Sequence, residues 1–248
     1  MSYKLIVSDV DGCISPEESV GWDHHAFHEL AERVRGKAFT ICTGRPQPYV
    51  EVLLKLLDVG LPAICENGAV FYDLEHNAPT LAPGVTPDAI AALRTIRAHI
   101  ERSILPGRAG AAIQYGKEAQ ISVFSADPAL IDPMADQVRA FVDSTRFSEG
   151  ARFGEGARFQ IDSSHYYLNI SIAGVSKGSA LSALLKTLKV EPSECAVIGD
   201  TSGDLPMRDH AGFFGCPANA TEAVQGVADY VSPDRDIRGL LDILSRID

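Results

Sequence analysis

Residues 5–13 read LIVSDVDGC, and their reading decides the fold. Leu5, Ile6 and Val7 are a continuous apolar run, as expected of a strand buried on both faces, and the strand is predicted over 4–9. Asp9, Asp11 and Gly12 follow at once. Carboxylates at the end of a buried strand are costly unless something pairs with them. The stretch therefore asks which other segments deliver partners to the same place.

Working outward, apolar strands alternate with amphipathic helices at both ends of the chain. A helix is predicted over 24–35, a strand over 38–43, and a helix from Pro46 to about Leu57, Pro46 suiting a first helical position. A strand over 62–66 and a turn at Asn67-Gly68 lead into a short strand, AVFYD. Later come a helix over 177–189, a strand over 195–200, a helix near 205–210 and a strand over 212–216. Helices near 220–227 and 236–246 close the chain. Such βαβ alternation predicts a doubly wound α/β core, a parallel sheet covered by helices on both faces. The middle differs. A helix over 87–101, strands over 111–116 and 119–125, a helix over 128–143 and strands over 157–162 and 166–172 make α-β-β-α-β-β. That is the order of a small antiparallel sheet backed by two helices. Residues 84–172 are therefore read as an inserted α+β domain, and residues 1–83 with 173–248 as the core.

Composition narrows the function. The 248 residues are 46% hydrophobic, enough for a sizeable core, and the net charge is −11. Nucleic acid and anionic membranes both select for basic patches, so neither is an expected partner. No apolar run reaches the roughly 18–20 residues that span a bilayer. The N-terminus shows no signal-peptide pattern, and a cytoplasmic location is expected. Cys13, Cys42, Cys65, Cys195 and Cys216 are widely spaced with no C-x-x-C, which suits neither a disulfide framework nor a zinc site.

Ligands of open parallel sheets sit beyond the carboxyl ends of the strands. There the sequence places Asp9 and Asp11, then Thr43-Gly44-Arg45, then Glu66-Asn67-Gly68, and, in the return half, Gly199-Asp200 with Asp204 four residues on. The helix after the insert opens on Ser176-Lys177-Gly178. Carboxylates, a hydroxyl, a lysine and glycines suit a hard cation together with a phosphate. Oxygen-rich sites favour Mg²⁺ over softer metals. Glycines let backbone N–H groups approach phosphate oxygens. One aspartate can attack phosphorus, and a second carboxylate can protonate the leaving oxygen and later activate water.

Asp9-Val10-Asp11-Gly12, Thr43-Gly44-Arg45-Pro46, Ser176-Lys177-Gly178 and Gly199-Asp200-Thr201-Ser202-Gly203-Asp204 resemble the four ordered motifs of the haloacid-dehalogenase-like phosphatases. The insert between the second and third resembles the cap of the Cof-type and sucrose-phosphatase branch. This resemblance implies Mg²⁺-dependent hydrolysis of a small phosphorylated metabolite through an aspartyl-phosphate, with a phosphosugar or sugar-phosphate glycoside favoured by the cap type. It implies Asp9 as nucleophile and metal ligand, and Asp11 as general acid/base with its carbonyl on the metal. Thr43 would hydrogen-bond the phosphoryl group and Lys177 would neutralise charge. Asp200 would ligate the metal, and Asp204 would support the metal or orient Lys177. Gly44, Arg45 and Asn67 stand as substrate-binding candidates. Two positions depart from the branch: Cys13 where Thr is usual, and Gly203 where Asn is common. The alternatives are a phosphomutase on the same scaffold and a receiver-type phospho-accepting module; the long insert and the acidic Asp200/Asp204 motif argue against the receiver.

Several features read as structural. His24, His25 and His28 read as a solvated helix face. Cys13, Cys42 and Cys65 read as small buried hydrophobes. The near-repeat EGARFG, EGARFQ at 149–160 reads as a flexible loop. Lys117, Glu118, Gln120, Arg152, Arg158 and His165 are candidates for reading the substrate, and Glu17 and Glu18 for a gate. Closure about linkers near 82–86 and 172–175 would exclude water.

Overall fold

The computed structural model describes residues 3–16, 21–146, 158–164 and 166–247. Glu17, Glu18, Arg152, His165 and residues 149–157 of the near-repeat lie outside the described residues.

In chain order the elements are β1 (Leu5–Ser8), α1 (His24–Val34), β2 (Phe39–Ile41), α2 (Gln47–Leu57), β3 (Ala63–Cys65), β4 (Val70–Asp73) and β5 (Ala78–Leu81). Then come α3 (Pro87–His99), β6 (Ala111–Ile113), β7 (Gln120–Ser125), α4 (Ile131–Arg146), β8 (Phe159–Ser163) and β9 (Tyr167–Ile172). The return half holds α5 (Lys177–Leu188), β10 (Cys195–Ile198), α6 (Leu205–Arg208), β11 (Phe213–Cys216), α7 (Glu222–Gln225), β12 (Tyr230–Val231) and α8 (Asp236–Ile247). The chain divides into two compact units, Met1–Pro83 with Ser176–Asp248, and Gly84–Val175.

The first unit is built on a parallel sheet of order β12-β11-β10-β1-β2. β3 adjoins β2 through a parallel bridge between Cys42 and Ile64, and continues into the antiparallel β3-β4-β5 sheet. From β1 the chain winds outward through β2; it re-enters on β1's other side at β10 and winds the opposite way. Strand order thus reverses between β1 and β10, and a crevice opens beyond their carboxyl ends. Ser8 is in register with Ile198 there, so Asp9 emerges beside Gly199.

The apolar run of β1 is buried on both faces, as a central parallel strand demands. Leu5 and Val7 pack with Val197, Phe214 and with Leu181, Leu184 and Leu185 of α5. Gly215 faces the other way, where a Cβ would come within 2.9 Å of Ile243 of α8. The sheet is therefore covered on both sides, α8 presenting Ile237, Leu240, Leu244 and Ile247 at helical spacing.

The second unit carries an antiparallel sheet of order β6-β7-β9-β8, against which α3 and α4 pack. Its elements follow the expected α-β-β-α-β-β order. The unit runs to Val175. Ala173 donates to the carbonyl of Arg158, just before β8, and Val175 to that of Ile172 in β9.

Two strands escape the sequence pattern. β5 contains Pro79, which the edge of a sheet tolerates because no partner needs its missing N–H. β12 is two residues long, too short for any periodicity. Asp127 caps a separate turn at Pro128–Leu130, so α4 starts at Ile131 instead of 128. Among the described residues no helix is long and apolar enough to cross a membrane.

Candidate active site

β1 delivers Asp9 into the crevice. Its backbone N–H still donates to the Ile198 carbonyl at 2.9 Å, so the strand ladder holds its position. The side chain is buried and accepts from the Val10 N–H at 2.7 Å. The chain then turns tightly. The N–H groups of Cys13, Ile14 and Ser15 all reach the Val10 carbonyl, and Gly12 adopts φ +74°. Only glycine fits here: a Cβ would lie 2.0 Å from Asp200 Oδ2.

α5 delivers Lys177. Ser176 caps this helix and exchanges hydrogen bonds with Ser179, so Lys177 sits at the first helical position. A cation is disfavoured there by the helix dipole. It is held by two carboxylates, with Nζ 2.9 Å from Asp9 Oδ1 and 2.6 Å from Asp204 Oδ1. Gly178 lets α5 approach the Asp204 segment, since a Cβ would be 2.2 Å from the Pro206 carbonyl. The second Asp204 oxygen accepts from the N–H groups of Asp200 and Thr201, each at 3.0 Å, and from the Thr201 hydroxyl at 3.3 Å. Asp204 thereby shapes the loop that carries Asp200.

Burial pushes the Asp9 carboxyl up to about 7; the Asp204 carboxylate adds to the rise and Lys177 opposes it. Burial works against the charge on Lys177 as well, but the Asp204 and Asp9 carboxylates outweigh it and hold the ammonium well above the usual lysine range. Asp9, Asp200 and Asp204 each offer a carboxylate oxygen, and these oxygens lie within 4.8 Å of one another, all buried. Among the described residues the three carboxylates outnumber the Lys177 ammonium, and a divalent cation would offset the excess negative charge. The all-oxygen donors fit a hard ion of the Mg²⁺ type.

On β1's other flank, Thr43 is fully buried; its N–H donates to the Ile64 carbonyl, and its Oγ1 accepts from the Arg45 N–H at 3.1 Å. A hydroxyl that accepts there keeps its own proton for a ligand oxygen. Glu66 and Asn67 both take left-handed φ, 52° and 54°, bonded to the Arg45 and Thr43 carbonyls. The Asn67 amide therefore faces Gly44, where a Cβ would meet it at 3.0 Å. Arg45 forms a two-pronged pair with Asp11, Nε to Oδ2 at 2.8 Å and Nη2 to Oδ1 at 2.6 Å.

Asp9, Thr43, Lys177, Asp200 and Asp204 thus converge around one crevice, with Asp11, Arg45, Gly44 and Asn67 beside it. One residue the sequence reading passed over is Asn219. Its Nδ2 donates to the Gly12 carbonyl and its Oδ1 accepts from the Asp236 N–H. It ties the first acidic turn to the start of α8, and its place just past the end of β11 was the available signal. A side chain at Gly203 would meet only the Thr201 hydroxyl, at 3.6 Å, so packing does not demand glycine there. Cys13, Cys42 and Cys65 are buried and free, and burial holds all three thiols protonated. His24, His25 and His28 lie exposed on α1. Lys117, Glu118, Gln120 and Arg158 belong to the second unit, where Lys117 donates to Ser122 at 2.6 Å and Glu118 pairs with Arg94.

A buried carboxylate–lysine cluster at the switch point of a doubly wound sheet can hold a cation and an anionic ligand together. The chain belongs to the haloacid dehalogenase-like hydrolases, whose sequence model matches residues 6–105 and 117–244, and it is a phosphoric monoester hydrolase. A phosphoglycolate phosphatase of Archaeoglobus fulgidus is 28% identical, over 97% of this chain and 95% of the relative. A haloacid dehalogenase-like hydrolase from Bacteroides thetaiotaomicron shares the fold with a TM-score of 0.73 at 19% identity, over 100% of both chains. A sugar phosphatase of subclass IIB of the same superfamily shares it at 0.68 and 16% identity, over 98% of both chains.

Proposed function

We propose that the protein is an Mg²⁺-dependent phosphatase that hydrolyses a small phosphate monoester through an aspartyl-phosphate on Asp9. The observation that carries this reading is the buried chain Asp9–Lys177–Asp204, with Asp200 beside it at the switch point. Asp9, the Asp11 carbonyl and Asp200 would hold the ion, which supplies charge neutralisation for the phosphoryl oxygens. Both oxygens of Asp204 are already engaged, which favours its role as the group that orients Lys177 and the Asp200 loop.

As an Asp9 oxygen bonds to phosphorus, the bond to the leaving oxygen breaks and Asp11 gives that oxygen its proton. Lys177 keeps Asp9 ionised for attack, and the Thr43 hydroxyl donates to a phosphoryl oxygen. In the second step water attacks phosphorus, Asp11 takes its proton, and the Asp9 carboxylate departs with release of inorganic phosphate. Residues 84–172 serve as the substrate-specificity cap domain, and the site of action is the cytoplasm.

Phosphoglycolate is the substrate we favour, from the names of relatives matched over nearly their full length. Sugar phosphates, favoured by the cap's resemblance, are the comparison. The test is phosphate release from phosphoglycolate, glucose 6-phosphate, sucrose 6-phosphate and 4-nitrophenyl phosphate, with Mg²⁺ and with a chelator. No release above background from any of them would sink the reading; chelator-resistant release would remove the metal from it.

A pH effect follows from the raised Asp9. A carboxyl raised in the fold lends stability that is complete below its unfolded value and is lost as pH rises through about 7. Mg²⁺ displaces that proton, so at pH 6 its apparent affinity should be roughly tenfold weaker than at pH 8. Thermal melts at fixed, sub-saturating Mg²⁺ should show a larger rise in Tm at pH 8. An equal or larger rise at pH 6 would take Asp9 out of the ligand set.

A further inference from the structure

The Arg45–Asp11 pair is partly solvent-exposed, with side chains 41% and 31% accessible. Such a pair contributes little by itself. Its geometry is nonetheless two-pronged, which calls for something that holds the fork in place. Tyr49 meets the arginine half. Its ring lies 5.0 Å beneath the Arg45 guanidinium carbon. Ser15 is the bridge partner of Asp11 and accepts from the Gly12 N–H at 2.7 Å. The platform is stiff: Tyr49 stands in the first turn of α2, donates to the Pro46 carbonyl, and is preceded by Pro46 and Pro48.

We propose that Tyr49 is a positioning residue for Asp11: its ring holds the Arg45 guanidinium, whose fork sets where the Asp11 carboxyl group stands before it turns to the leaving oxygen. The inference rests on the reading of Asp11 as general acid. Its consequence is selective. An alkoxide leaving group needs the Asp11 proton as its bond to phosphorus breaks, whereas 4-nitrophenolate departs without one. A misaimed acid therefore penalises alkyl phosphates more than aryl phosphates, while a merely structural lesion penalises both alike.

The experiment compares Tyr49→Leu, Tyr49→Phe and Asp11→Asn on phosphoglycolate and on 4-nitrophenyl phosphate, with kcat and KM measured separately. Tyr49→Leu should lower kcat for phosphoglycolate by about 10²-fold, the scale of a misplacement near 1 Å, with a severalfold smaller loss on the aryl ester. Tyr49→Phe keeps the ring and should show the same split in weaker form, and it stands in if the leucine variant fails to fold. Asp11→Asn should show the split most strongly. If Asp11→Asn splits the substrates and neither Tyr49 variant does, the positioning role is overturned and the acid assignment stands. If Asp11→Asn produces no split, the acid assignment falls and the inference falls with it.

Discussion

Asp9→Asn should abolish turnover, lowering kcat by at least about 10⁴-fold, while the protein melts no lower than the parent. The amide has the size of the carboxyl group and still accepts from the Val10 N–H, so the turn after β1 keeps its bond. It has no anionic oxygen to attack phosphorus. It also removes a charge that burial and the Asp204 carboxylate oppose, and leaves Lys177 paired with Asp204 at 2.6 Å. At pH 8, where the parent carries that charge, the variant should be the more stable of the two in thermal melts without metal. Loss of function with gain of stability is the mark of a strained catalytic group. Turnover within tenfold of the parent would remove Asp9 as nucleophile.

Lys177→Met should be the most destabilising single change at the site. The lysine is buried and bonded to two buried carboxylates. Removing one partner of a buried ion pair costs about 3–5 kcal/mol, because the remaining charge is left uncompensated. The loss should depend on pH with a definite sign. Without the ammonium, Asp9 rises further; a raised carboxyl lends stability at low pH that vanishes as pH climbs through its folded value. Urea melts should therefore show a larger deficit at pH 8 than at pH 5.5. Adding Asp9→Asn to the variant should recover part of the deficit, since the two sites share one interaction. Additive losses would place the cost in packing along α5 instead. Turnover should fall by about 10²-fold or more, as for removal of a preorganised charge-stabilising donor.

The parallel core was legible in the sequence because buried strands such as Leu5–Val7 and Cys195–Ile198 read as apolar runs in any context. Asp9, Thr43, Lys177 and Asp200 were legible because strand ends and helix starts fall at those residues, and the topology of such sheets gathers strand ends along one edge. Lys177 was the sharpest signal, a cation where the helix dipole repels one.

What the tertiary structure decided was pairing. Arg45 chooses Asp11, and Asp204 divides its two oxygens between Lys177 and the Asp200–Thr201 backbone, because their directions depend on backbone turns no local pattern prescribes. Asn219, separated from Gly12 by more than two hundred residues, reaches its carbonyl only once β11 lies two strands from β1. β5 forms although Pro79 argues against a strand, since the sheet edge leaves that position without a donor to satisfy. Residue type and spacing along the chain determined which groups arrive at the crevice. Hydrogen-bond direction and close approach, set by the packed backbone, decided which of them hold one another and which face outward to a substrate.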